Sequence, residues 1–319
     1  MKTLLPDVGA EAPSIQQTEP MLVAIRDPVT DRSAVEWAAR RAVSLNVPLT
    51  LLHAVADPSL MPPGTSYGDE VVAGRALINR EAERVVRYYP GLRVGTYLHC
   101  GDIVEALLGL SASVPMIVVG ADRKDSATGE FRGSVALQVV LNSSTPVVVV
   151  PPGQTYLLAA GDDEGRVVVG VDGSEVSHVT LIRAAEEAHA LGKSLTVVTA
   201  LSSSPERMMV GASPMLLEVR ERYPELAVSW VVDDMRAPAR ALASYGAGSD
   251  LLVIGRHGAG ARSVMSLGSV THTLLLEPPC PTLVLTRREP VPPADTTGQG
   301  QEQEQEQEQE QEQERTSVR

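Results

Sequence analysis

The same order of apolar runs is written twice along this chain, and that duplication narrows the folds open to it more than any single motif does. Strand-like runs at residues 21–25, 49–55, 93–98, 116–120 and 147–150 are followed by a second set at 167–171, 195–200, 227–232, 251–255 and 282–285. Helical patterns lie between them, such as 33–45 and its counterpart 176–191. Strand alternating with helix predicts a parallel sheet with crossover helices in each copy. The repeat keeps strict register near its end: Gly255 and Gly268 stand 135 residues after Gly120 and Gly133, and Ser269 stands 135 after Ser134. Earlier in the copies the offset is 146, from Arg26 to Asp172. The middle segment accounts for the change. Residues 70–89 read as a long helix, whereas the partner segment 206–222 is interrupted by Gly211 and Pro214.

Punctuation sets the boundaries. Pro151-Pro152-Gly153 closes the first copy and the polar run Gly161-Asp162-Asp163-Glu164-Gly165 leads into the second, which predicts domains at 20–152 and 166–287 joined by a linker at 153–165. Residues 1–19 mix Pro, Glu and Gln without a period, and 288–319 run from a Pro-rich stretch into Gln-Glu repeats. Alternating Glu places like charges at i and i+4 of any helix, so both ends are expected to be disordered. With 319 residues, each domain has room for a core, and 43% hydrophobic residues with only 3% aromatic leaves Val, Leu, Ala and Ile to fill it.

The formal charge of −13 opposes binding to nucleic acid or to anionic membrane. Cys100 and Cys280 are too few for a disulfide framework, and no signal peptide or membrane span is read, so the expectation is a cytoplasmic protein. Cys280, between Pro279 and Pro281, is expected to pack and not to react. The six histidines form no paired ligand motif, which predicts no metal site of their own.

Chemistry concentrates near the end of the second copy. An apolar run, Leu251 to Ile254, stops at Gly255, with Gly258 next and Gly268-Ser269 nine residues later at the start of a helical pattern. Glycine lets backbone approach a ligand closely, and a helix start offers unsatisfied N–H groups to an anion. The spacing predicts a phosphate cradle. Asp172-Gly173-Ser174 ends the first strand of the same copy, where Asp can close a turn, cap a helix or face a ligand.

These residues carry a family resemblance. Val169-Gly170-Val171-Asp172-Gly173-Ser174, the spacing Gly255-x2-Gly258-x9-Gly268-Ser269 and the closing Cys280-Pro281-Thr282-Leu283-Val284-Leu285 resemble the universal stress protein family. The first copy resembles it through Gly101 to Leu107, Val118-Val119-Gly120, Gly133-Ser134 and Pro146 to Val150. The resemblance implies an α/β fold of two tandem flavodoxin-like (adenine nucleotide alpha hydrolase-like) domains, each a five-stranded parallel sheet with helices on both faces. It also implies ATP, accompanied by Mg²⁺, with Asp172 beside the nucleoside and Ala200 near adenine. Gly255, Gly258, Gly268, Ser269 and Val270 would lie along the phosphates. Pairing through the last strands, 147–150 and 282–285, is implied either between the halves of one chain or between two chains.

The first copy departs from that pattern. Arg26 stands where Asp172 does, with Asp27 one residue late, and Arg123 stands where Gly258 does, although Gly120, Gly133 and Ser134 are kept. This predicts a degenerate site with weak or no nucleotide binding. Alternatively, Arg26 and Arg123 pair with Asp122 or Asp125, or grip a phosphate themselves. The function expected is a nucleotide-dependent stress-response regulator without turnover. A slow ATP-hydrolysing enzyme and a nucleotide-free interaction protein are the rival classes.

Overall fold

A computed structural model describes residues 19–121, 134–156, 165–200, 215–258 and 267–285, which belong to one compact unit. The two ends expected to be disordered, most of the expected linker, Arg123, Gly133 and the interrupted stretch 201–214 lie outside the described residues. In the first half the elements run β1 (Met21–Ala24), α1 (Arg32–Leu45), β2 (Leu49–Val55), α2 (Tyr67–Tyr88), β3 (Val94–Cys100), α3 (Ile103–Leu110), β4 (Ile117–Gly120), α4 (Val135–Asn142) and β5 (Val147–Val150). The second half repeats them as β6 (Arg166–Gly170), α5 (Glu175–Leu191), β7 (Ser194–Ala200), α6 (215–222), β8 (Val228–Asp233), α7 (Pro238–Gly246), β9 (Leu251–Gly255), α8 (Ser269–Leu276) and β10 (Thr282–Leu285).

The duplication extends to helix ends. Helix α1 stops at Asn46 (φ 53°) and α5 at Gly192 (φ 64°), 146 residues apart, and both residues take the left-handed conformation that ends a helix. The extra length of the first copy lies between β2 and β3, where α2 runs for 22 residues from an N-cap at Ser66.

Each half forms a parallel five-stranded sheet, and the two join into one sheet of order β3-β2-β1-β4-β5-β10-β9-β6-β7-β8. Among the described strands the join is the one antiparallel step, with Val147, Val148 and Val149 opposite Val284, Leu283 and Thr282. All four residues of β5 and all four of β10 are buried. An apolar edge of that kind needs a partner, and here each half covers the other's.

Alternation along the strands then feeds two cores. Met21 and Val23 point to the face covered by α1, α2, α5 and α6, where Trp37, Ile78, Leu181 and Val219 are buried. Leu22 and Ala24 point to the opposite face, under α3, α4, α7 and α8, with Leu107, Val139, Leu242 and Leu275. Both cores run across the join.

Polar contacts add to it. Between α1 and α5, Arg41 and Glu187 form an ion pair in which the side chains are 4% and 3% exposed, and Arg183 adds a second contact to Glu187 at 3.0 Å. On the other face the Arg256 Nη1 donates to the carbonyl of Leu141, at the end of α4, at 2.5 Å. Cys280 is buried beside Ser249, and burial pushes its thiol up to about 11, so it packs as expected, while Cys100 is exposed. Among the described residues no helix is long and apolar enough to cross a membrane.

Removing one partner of a buried pair leaves an uncompensated charge, a loss of about 3 kcal/mol or more. Glu187→Ala is therefore expected to lower unfolding free energy by about that amount in urea titrations, and the apolar pair Arg41→Met with Glu187→Leu to restore most of it. Thiol titration should count one reactive cysteine in the native protein and two in denaturant.

Candidate functional site

In each half the strand order reverses beside the first strand: β1 lies between β2 and β4, and β6 between β7 and β9. Helices leaving neighbouring strands there diverge to opposite faces and open a crevice at the carboxyl ends, where ligands of open α/β sheets sit. The second half has a cleft of about 650 Å³ at this point, within the range of small-molecule sites. Asp172, Ala200, Gly255, Gly258, Gly268, Ser269 and Val270 all line it, so the seven second-half residues picked from the sequence come together. His257 lines it as well.

Asp172 is held by a small network that the sequence reading did not contain. Its N–H donates to the Ser177 Oγ (2.9 Å), that hydroxyl donates back to Asp172 Oδ1 (2.7 Å), and the Ser174 N–H donates to the same oxygen (3.1 Å). Gly173, at φ 79°, makes the turn that brings Ser174 round to cap α5. The plain role of a turn-closing Asp and the ligand-facing role thus coexist: Oδ1 is tied down within the turn while the carboxylate lines the cleft.

The cradle glycines have intramolecular reasons to be glycine. A Cβ on Gly258 would lie 2.0 Å from Asp172 Oδ2, one on Gly255 2.6 Å from Val176 Cγ1, and one on Gly268 3.1 Å from His257 Cα. None of the three has positive φ. Besides the close approach to a ligand expected from the sequence, close packing of strand end, turn and helix start excludes a side chain at each of them. The Gly268 N–H is also committed, donating to the Arg256 carbonyl at 2.9 Å. Gly268 serves as the N-cap of α8 and supplies no side chain for capping, so the first-turn amides of Ser269, Val270 and Thr271 have no acceptor within the helix. They, and not Gly268, are the donors available to an anion. The Thr271 hydroxyl fixes the helix start by donating to the Gly255 carbonyl at 2.8 Å.

The first half builds the same frame with different chemistry. Its cavity, about 290 Å³, is lined by Arg26 and Gly120 among others. Asp27 does not stand in for Asp172: it is exposed, and its Oδ1 accepts from the Val29 and Thr30 amides, bonds that hold the carboxyl below the usual range. The acceptor is Asp31, missed in the sequence, which stands 146 residues before Ser177. Its Oδ2 takes the N–H groups of Arg26 (2.7 Å) and Asp27 (3.0 Å), doing from the N-cap of α1 what the Ser177 hydroxyl does from α5. The Ser134 hydroxyl caps α4 by accepting from the Leu137 N–H at 3.0 Å. The expected pairing of Arg26 and Arg123 with Asp122 or Asp125 falls outside the described residues.

Comparison with known proteins agrees over both halves. A sequence profile of the Universal stress protein family matches residues 18–151 and 165–286. Universal stress protein Rv2623 of Mycobacterium tuberculosis (strain ATCC 25618 / H37Rv) is 30% identical over 278 residues, covering 80% of this chain and 92% of that protein. Universal stress protein Rv2005c of the same strain is 28% identical over 288 residues, covering 83% of this chain and 96% of its own length. The fold is similar to that of a crystal structure of a universal stress protein from Archaeoglobus fulgidus DSM 4304, with a TM-score of 0.67 and 20% identity, covering 86% of this chain and 98% of that one.

The contact between Gly258 and Asp172 can be measured without any ligand. Gly258→Ala should cost about 1 kcal/mol in denaturation, and the same substitution made in Asp172→Ala should cost almost nothing, a coupling that a double-mutant cycle reads directly.

Proposed function

The chain belongs to the universal stress protein family, as the match over both halves shows, and on that premise we propose that it is a nucleotide-dependent stress-response regulator whose second half holds ATP. The observation that supports this most is the meeting, in one 650 Å³ cleft, of three first-turn amides of α8 with a carboxylate held in place by its own turn. In this reading the phosphates lie against the amides of Ser269, Val270 and Thr271, where unsatisfied donors and the helix dipole favour negative charge. Asp172 accepts a hydrogen bond from the ribose, and Ala200 meets the base through its backbone. Gly258 leaves the space that the nucleotide and Asp172 share.

Magnesium enters with the nucleotide. Among the described residues no group of three His, Cys, Asp or Glu is placed to hold a metal ion, so the ion is held through the phosphates. Bound nucleotide touches the ends of β6, β7 and β9 and the first turn of α8, and so changes the surface at that end of the sheet. A binder whose surface reports occupancy is a regulator.

Calorimetry on the full-length protein tests the proposal: about one ATP per chain is expected, with affinity reduced at least tenfold by Asp172→Ala and abolished by Gly258→Arg. Equal binding in the arginine variant overturns the assignment. Steady phosphate release that disappears in Asp172→Ala would replace the regulator with a slow hydrolase.

A further inference from the structure

The cavity of the first half differs from the cleft of the second in the sign of its chemistry as well as in size. Its walls are largely apolar, with Ile25, Ala54, Leu60, Ile103 and Val119 among them. Asp31 lines it and is 5% exposed. The two backbone amides occupy Oδ2, whereas Oδ1 has no hydrogen-bond partner among the described residues. It faces Gly120, where a Cβ would come within 2.6 Å of it. Desolvation pushes the Asp31 carboxyl above the ordinary aspartate range, outweighing the two amides and the nearby Arg26.

A carboxylate on a side chain so little exposed favours a donor or a cation at the oxygen that the amides leave open to the cavity. The remaining charged lining reinforces the preference. Among the described residues that line it, Asp57 and Asp102 add two carboxylates beside the guanidinium of Arg26. Asp57 is kept below the usual range by its hydrogen bonds from Ser59, and Asp102 caps α3 through the Val104 and Glu105 amides. Such a rim attracts cations and repels phosphates.

We propose that the first-half cavity is a binding site of its own, for a compact organic amine with a mainly apolar body, whose ammonium or N–H group meets Asp31 Oδ1. The apolar walls take the body of the molecule, the buried acceptor orients it, and the acidic rim selects its charge. At about 290 Å³ the cavity lies at the lower limit for small-molecule sites, which suits a ligand the size of a single ring with a short arm. The assignment does not depend on what occupies the second half.

Three probes that share one ring separate the chemistries: benzylamine, benzyl alcohol and phenyl phosphate, titrated into the full-length protein by saturation-transfer NMR and calorimetry. Benzylamine is expected to bind, benzyl alcohol at least fivefold more weakly, and phenyl phosphate not to compete with benzylamine. Asp31→Asn keeps an oxygen for the two backbone amides but turns an NH₂ toward the ligand, so benzylamine affinity should fall at least tenfold. Asp31→Ser, which copies Ser177, should do the same and covers a failure of the first variant to fold. Gly258→Arg should leave benzylamine binding intact while removing ATP binding, so the two halves are read separately. The proposal is overturned if benzylamine does not bind, if both Asp31 variants bind it normally, or if phenyl phosphate displaces it.

Discussion

The antiparallel contact between β5 and β10 is the constraint on which the rest of the architecture depends. Both strands are buried over their full length, and each, taken with its own half alone, would end a parallel sheet on an apolar edge with a row of unpaired backbone groups. Setting them side by side satisfies both edges at once and makes one sheet of ten strands. Once the sheet is continuous, the helices on each face form a continuous layer too. The layers carry the Arg41–Glu187 pair on one side and the Arg256–Leu141 contact on the other.

That frame decides where chemistry can occur. Parallel strands deliver their carboxyl ends to one side of each half, and the reversal beside β1 and β6 opens a crevice there. What fills the crevice is set by few atoms. In the second half a serine hydroxyl from α5 holds the turn, and the strand-end carboxylate is turned to the cleft. In the first half a carboxylate at the N-cap of α1 holds the turn, and the strand end carries an arginine. The same backbone path thus ends in opposite charges at the two strand ends.

The strand and helix order could be read from the sequence because buried parallel strands are short apolar runs and the helices between them differ in period. Alternation cannot tell which strand lies antiparallel to which, and β5 and β10 look alike as four-residue apolar runs. The cradle residues were recognisable from glycine spacing, but the reason for each glycine was not, since the atoms that exclude a side chain belong to Asp172, Val176 and His257, distant in sequence from at least one of them. Asp31 escaped notice because the first half carries its carboxylate five positions later, at the helix start and not at the strand end. Comparing Asp31 with Ser177, at the same offset as Arg26 with Asp172, is the signal that would have found it.

Arg256 shows how far the halves have specialised. Its counterpart is Ala121, and the backbone at the two positions does the same thing: the Ala121 N–H donates to the Val150 carbonyl at 2.8 Å and the Arg256 N–H to the Leu285 carbonyl at 3.2 Å. Only the arginine reaches over the join to the end of α4. A buried guanidinium must have an acceptor waiting, and the acceptor belongs to the opposite half. The repeat has therefore acquired a polarity: one copy is the lock and the other the bolt, and a chain made of two identical second halves would carry two bolts.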